Sequence, residues 1–309
     1  MRIITLFFMI FPFMASANIL SLDDALRATY TACVGIDDEL SDLKTMAGIN
    51  TAITSVGTAA GVGATVTGLV KANKDKQIEI KLEKLREIEQ KNPDLQSTNA
   101  EWDNFESDLT TELANAKIEV EKYQAEIEKL NKQSKKLGNW RTGLMAGATA
   151  TNVAGAIIAG TNKVDTDLKT QIDNCIGSVK NLQNSIMQAR INGEDVSEAE
   201  SIASACGEYE YVDVSKINNR AKGAMISSTV GAATGLAGTV TSAMANTDKT
   251  RNDNTESGKQ KEKNLNTASN VLAGATTVAS ATATVFNATQ ISAIKKVASV
   301  AEKCTGVLK

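Results

Sequence analysis

Apolar and polar positions follow helical spacing through most of this chain. The clearest run starts at Leu113 and continues through Ala116, Val120, Tyr123, Ile127, Leu130, Ser134 and Leu137, then past Arg141 to Leu144, with charges on the remaining positions. An unbroken 4-3 spacing of this kind is a coiled-coil seam. Ile78, Leu82 and Leu85 form an answering stripe earlier in the chain, Pro93 breaks the helix between them, and Thr98 with Glu101 caps the restart. Residues 71–141 therefore predict a charged antiparallel coiled-coil arm. Its legs of about 30 residues would each reach about 45 Å. Only GEYEYVDV at 207–214 alternates, weakly, and it is the one candidate for extended structure.

Four stretches carry no charge: 45–70, 142–162, 223–247 and 264–294. Each is long enough to cross a bilayer. Lys71, Trp140 with Arg141, Lys163, Lys222 and Lys295 with Lys296 flank them as interfacial anchors would. Large apolar side chains are sparse, however, and Gly, Ala, Ser and Thr fill much of each stretch. In the third, Ile226, Val230, Ala233, Ala237, Val240 and Met244 keep a 4-3 seam, while Ser and Thr mostly take the other faces. That pattern leads to the expectation of a water-soluble bundle, its apolar seams inward and its backbones drawn close by small residues. Membrane insertion is the less favoured alternative.

The chain also matches itself. VGTAAGVGATVT at 56–67 and VGAATGLAGTVT at 230–241 are identical at seven of twelve positions, and LMAGATAT at 144–151 pairs with VLAGATTV at 271–278. Cys33 precedes Gly57 by 24 residues and Cys206 precedes Gly231 by 25; Cys175 follows Gly147 by 28 and Cys304 follows Gly274 by 30. Ser21 with Asp24, and Ser197 with Glu200, read as helix starts before the helices that end at Cys33 and Cys206. Asn192-Gly193 punctuates the junction. The expected fold is all-α: two internally duplicated helical hairpins, 18–193 and 194–309, forming a bundle packed through Gly, Ala and Thr. The arm at about 71–141 belongs to the first repeat alone.

The chemistry is narrow. Residues 1–17 read as a secretory signal peptide, with Arg2, an apolar run and Ala15-Ser16-Ala17, so the protein is expected to be exported to the periplasm or cell surface. Export into an oxidising compartment pairs the four cysteines, and hairpin geometry favours Cys33–Cys175 and Cys206–Cys304. Among 309 residues there is no histidine, which removes imidazole-based nucleophilic systems, proton shuttles and His-ligated metals. A net charge of −3, with Lys clusters interleaved with Asp and Glu, does not favour nucleic acid. No catalytic, cofactor-binding or metal-ligating set is expected. The function expected is that of a non-enzymatic structural or interaction protein of the bacterial cell envelope, presenting the arm to a protein partner or to itself. The alternative is a membrane-active or pore-forming protein that inserts its small-residue hairpins.

Overall fold

The computed structural model describes residues 20–91, 111–253 and 255–308, with only the helical backbone at 111–114. The expected signal peptide at 1–17, the break at Pro93 and the cap expected from Thr98 with Glu101 lie outside the described residues. Every regular element among those described is helical: α1 (Leu22–Cys33), α2 (Ile36–Lys91), α3 (Thr111–Thr161), α4 (Thr166–Ile191), α5 (Ser197–Gly207), α6 (Ser215–Ala245), a short α7 (Asp248–Arg251) and α8 (Glu256–Leu308). The GEYEYVDV run is not extended; Glu208–Tyr211 form a 3-10 turn that continues α5. Burial of Tyr209 against the surrounding helices outweighs its weak alternation.

Local chemistry sets the helix ends. Ser21 caps α1, its hydroxyl accepting from the Asp24 N–H at 3.2 Å, and Asp165 caps α4 by accepting from Leu168 N–H at 2.8 Å. Ser197 does not cap α5. It is the first helical residue, and Asp195 accepts from its N–H instead. Gly35 (φ +91°) and Gly193 (φ +77°) hold the left-handed conformations that let the chain turn after α1 and α4. At Gly193 the turn is closed by Gly193 N–H to Arg190 O and Glu194 N–H to Ala189 O, the paired bonds of a Schellman end.

The chain divides into two compact units, each discontinuous in sequence. Unit 1 comprises Met1–Lys44, Val164–Ile217 and Ser292–Lys309; unit 2 comprises Thr45–Lys163 and Asn218–Ile291. Unit 1 has an ordinary apolar core. Ile36, Leu40, Leu168, Ile172, Leu182 and Val297 are all buried within it, among others. Each such side chain contributes about 1.5–3 kcal/mol of burial free energy. The disulfides Cys33–Cys175 and Cys206–Cys304 lie in the same core and close loops of 142 and 98 residues. All four cysteines are at most 1% exposed. Charged pairs such as Lys303–Glu208 and Lys180–Glu210 occupy its surface.

The two disulfides are expected to carry much of the stability of unit 1. Replacing Cys206 and Cys304 together with Ala should cost about 2–5 kcal/mol in chemical denaturation, given the loop that their bond closes. A loss below about 0.5 kcal/mol would assign the stability to the apolar core instead.

Candidate functional site: the inverted bundle

Unit 2 is built the opposite way round from unit 1. The buried positions of α2 include Ala47, Asn50, Thr54, Gly57, Gly61, Ala64 and Gly68; those of α6 include Ala221, Ala224, Ser228, Gly231, Gly235, Gly238 and Ser242. Residues 148–159 of α3 bury Ala148, Asn152, Gly155 and Ala159, and residues 269–287 of α8 bury Ser269, Ala273, Thr276, Ser280, Ala283 and Asn287. All four seams keep 4-3 spacing or nearly so, but their residues are small or polar. Most of the large apolar residues face outward, but Met145 of α3 is fully buried, packed with Ala64, Ala273 and Leu144. Val56, Ile157, Leu236 and Val278 are 60%, 63%, 60% and 67% exposed.

This corrects the seam expected for α6. Ile226, Val230, Val240 and Met244 are about half exposed, and Ala233 and Ala237 are also on the outer face. The physical reason is backbone approach. A Cβ added at Gly231 would lie 2.8 Å from Asn152 of α3, and one at Gly235 would lie 2.5 Å from the Thr149 hydroxyl. On α2, Cβ atoms at Gly57 and Gly61 would meet Thr151 and Thr277 at 2.5 and 2.7 Å. Helices this close have no room for an Ile or Val between them.

Hydrogen bonds between helices fill the interior. Asn50 Nδ2 donates to Asn287 Oδ1 at 2.9 Å, and Asn152 Nδ2 donates to Ser280 Oγ at 2.8 Å. Thr234 and Thr276 share a bond of 2.9 Å, as do Thr142 and Ser242. Gln290 Nε2 donates to the Asn162 carbonyl at 2.8 Å. Asn50 Oδ1 and Ser228 Oγ lack such partners, but both lie beside the bare Cα of Gly155, 3.3 and 3.2 Å from where its Cβ would be. Close Cα–H···O contacts of this type accompany tight helix pairs. On the outer face the hydroxyls need no water. Thr229, Thr282 and Thr289 each donate to the carbonyl four residues back, at 2.8–2.9 Å.

Charge returns where the uncharged stretches end. Lys71, 1% exposed, is paired with Asp75 at 2.6 Å and with Glu262 at 3.7 Å, while Ser134 donates to Asp75. Arg141, also 1% exposed, occupies a seam position of α3; its Nη2 reaches the Asn266 carbonyl at 3.4 Å and its Nε has no partner. Burial lowers the guanidinium pKa to about 10. Burial likewise raises the Glu262 carboxyl above its ordinary 4.5, with Lys71 and Arg251 opposing and Asp75 reinforcing the rise. Beyond this layer the legs of α2 and α3 pack through Leu85, Ala116 and Leu130. Glu126 pairs with Lys81, and Lys81 and Lys84 lie 5.3 and 6.0 Å from the Tyr123 ring centroid.

The four cysteines expected as site residues all lie in unit 1. The sulfurs of Cys33, Cys175 and Cys304 are within 4.8 Å of one another. Both bonds consume their thiols, so no thiolate stands free there as a metal ligand. The open groove beside α1 and α4, about 690 Å³, is lined by Arg27, Thr31, Asp167, Gln171 and others and contains no nucleophile–base pair. Comparison with protein-family models, with curated proteins and with solved structures found no match.

Two expectations follow from the inversion and one from the charged layer. Gly231→Val should destabilise unit 2 by about 2–4 kcal/mol, because the added side chain meets Asn152, whereas Leu236→Ala on the outer face should change detergent-solubilised stability by under about 1 kcal/mol. Thermal melts of the two variants in detergent test this, and a larger loss for Leu236→Ala would return the apolar face to the core. A carboxyl whose folded pKa is raised contributes favourably at low pH, and that contribution is lost as pH rises above 4.5. The stability of Glu262→Gln relative to the parent should therefore increase between pH 4.5 and neutrality, as read from melts across that range.

Proposed function

We propose that this protein is a non-enzymatic membrane protein of the bacterial cell envelope, with unit 2 a four-helix bundle that spans a bilayer. The carrying observation is the inversion: small and polar residues inside, uncharged apolar residues outside. Water rewards the reverse arrangement, as in unit 1. A bilayer rewards this one, because lipid solvates Val, Leu and Ile while small residues let helices pack. Stretches of 21 to 31 uncharged residues cover the hydrocarbon thickness. Three described helical segments, Leu22–Lys91, Asn115–Ile191 and Glu256–Leu308, are long and apolar enough to cross. The α6 helix is not among them. Its close glycine contacts with α3 support a reading in which it crosses as a packed partner rather than by its own hydropathy.

Internal duplication belongs to the same reading. The hairpin α2–α3 corresponds to α6–α8, Gly57 and Gly61 to Gly231 and Gly235, and the Cys33–Cys175 bond to Cys206–Cys304. The charged legs at 71–91 and 115–141 then form an antiparallel coiled-coil arm outside the bilayer. Its exposed charges and the partly exposed Leu82 suit protein docking or self-association.

Fractionation of cells expressing the full chain tests the proposal. The protein is expected in the membrane pellet, resistant to alkaline carbonate. A Leu236→Lys, Val278→Lys double variant should shift most of it out of that pellet, since each charge costs about 2.5–3.5 kcal/mol at mid-bilayer. Recovery of the parent protein in the soluble fraction as a defined oligomer would replace lipid with protein as the cover of the apolar faces.

A further inference from the structure

Resting on the membrane-spanning reading, we infer that the bundle has a fixed orientation. The arm and the 248–263 segment face the reducing cytoplasmic side, where a basic rim binds the anionic phospholipid headgroups of that leaflet, and the disulfide-bonded segments face the oxidising side.

Chain order fixes which segments share a side. With four spans, 20–44, 163–222 and 295–308 lie on one side, and 71–141 and 248–263 on the other. The disulfides obey this partition. Cys33, Cys175, Cys206 and Cys304 all fall in the first group, so neither bond joins segments that the bilayer would separate. Disulfides form and persist in oxidising compartments and are rare in the cytosol. That assigns the first group to the outer side without reference to charge.

Charge gives the same answer independently. Residues 131–141, leading into the second span, carry Lys132, Lys135, Lys136 and Arg141 and no carboxylate. Residues 71–81 carry four lysines against Asp75 and Glu79, and 248–263 carry five cations against four carboxylates. The cysteine-bearing side is acidic beside the first and second crossings, where 34–44 carries Lys44 against four acids and 163–173 two lysines against three aspartates, and basic beside the third and fourth, where 212–222 and 295–305 each carry three cations against one carboxylate. Over the eleven residues beyond each span end, with 248–263 counted once, the arm side holds thirteen cations to six carboxylates and the other side nine to nine. An excess of Lys and Arg close to the spans marks the cytoplasmic face. The arm itself is long, but the bias lies within a few turns of the bilayer, where that rule operates.

The rim is also placed to touch lipid. Lys132 and Lys136 are exposed, as is Trp140 one turn further along α3. Each basic side chain near an anionic surface contributes about 1 kcal/mol of attraction, and indole favours the headgroup level. The inference therefore moves the arm, expected from the sequence to be exported with the rest, to the cytoplasmic face.

Cysteine labelling tests it on the full chain in a bacterial host that has a periplasm. Gln124→Cys lies on the exposed face of the arm and Asn184→Cys on the exposed face of α4, and the native cysteines are consumed in disulfides. A membrane-impermeant maleimide applied to intact spheroplasts should label Asn184→Cys fully. It should label Gln124→Cys at below about a tenth of the level reached after permeabilisation, because one orientation dominates. Adding Lys132→Glu and Lys136→Glu should raise that external labelling about threefold or more. Protein found in the membrane fraction but labelled first at Gln124→Cys would overturn the orientation and leave the spanning bundle standing. Protein labelled at both sites and found in the soluble fraction would overturn the bundle itself.

Discussion

Close approach of helix backbones is the constraint on which the rest of unit 2 depends. At Gly61 and Gly235 a Cβ would crowd the backbone of Thr277 and Thr149, and at Gly57 and Gly231 it would run into the side chains of Thr151 and Asn152. Where the axes are that close, Gly, Ala, Ser, Thr and short amides fill most of the seams, Met145 being a buried exception, and most larger apolar residues point away. Inversion of the bundle is a steric consequence of its glycines. The exposed valines and leucines follow from it, and the proposed contact with lipid rests on them.

The polar interior then takes a structural meaning. Asn50 with Asn287, and Asn152 with Ser280, hold opposite helices in register, and the amides specify partners that Gly–Ala contacts alone would leave free to slide. Among the described residues the buried charges are Lys71 and Arg141, in a layer with half-buried Asp75 and Glu262 where the uncharged stretches end. Arg141 is the costly member of that layer. It takes a coiled-coil seam position with its Nε unpartnered, and burial weakens its hold on the proton. Unit 1 shows the contrast within one chain: an apolar core, charged pairs outside, and two disulfides closing long loops.

The all-helical class was legible in the sequence from helical periodicity, and Ala116, Leu130 and Ser134 mark the buried side of α3 as their spacing indicated. Short helices ending at Cys33 and near Cys206 were legible as well, from Ser21 with Asp24 and Ser197 with Glu200, although Ser197 is the first helical residue and not the cap. The candidate site was not. On α6 the stripe of Ile226, Val230, Val240 and Met244 and the stripe of Ala224, Ser228, Gly231, Gly235, Gly238 and Ser242 have the same helical period. Periodicity marks two faces and is silent about which one is inside. Hydrophobicity decides that question only if the solvent is known to be water. The signal that decides it here is the 4-3 recurrence of glycine, alanine and serine on four separate stretches, which requires packing on that side whatever the solvent.

Contact of the apolar outer face of unit 2 with lipid, as proposed, is read directly by a nitroxide at Val278→Cys, since the native thiols are in disulfides. In the reconstituted full chain, the label should collide more often with molecular oxygen, which concentrates in hydrocarbon, than with a water-soluble nickel chelate. A label reached mainly by the nickel chelate, at a site that is 67% exposed, would place that face in water and contradict the account.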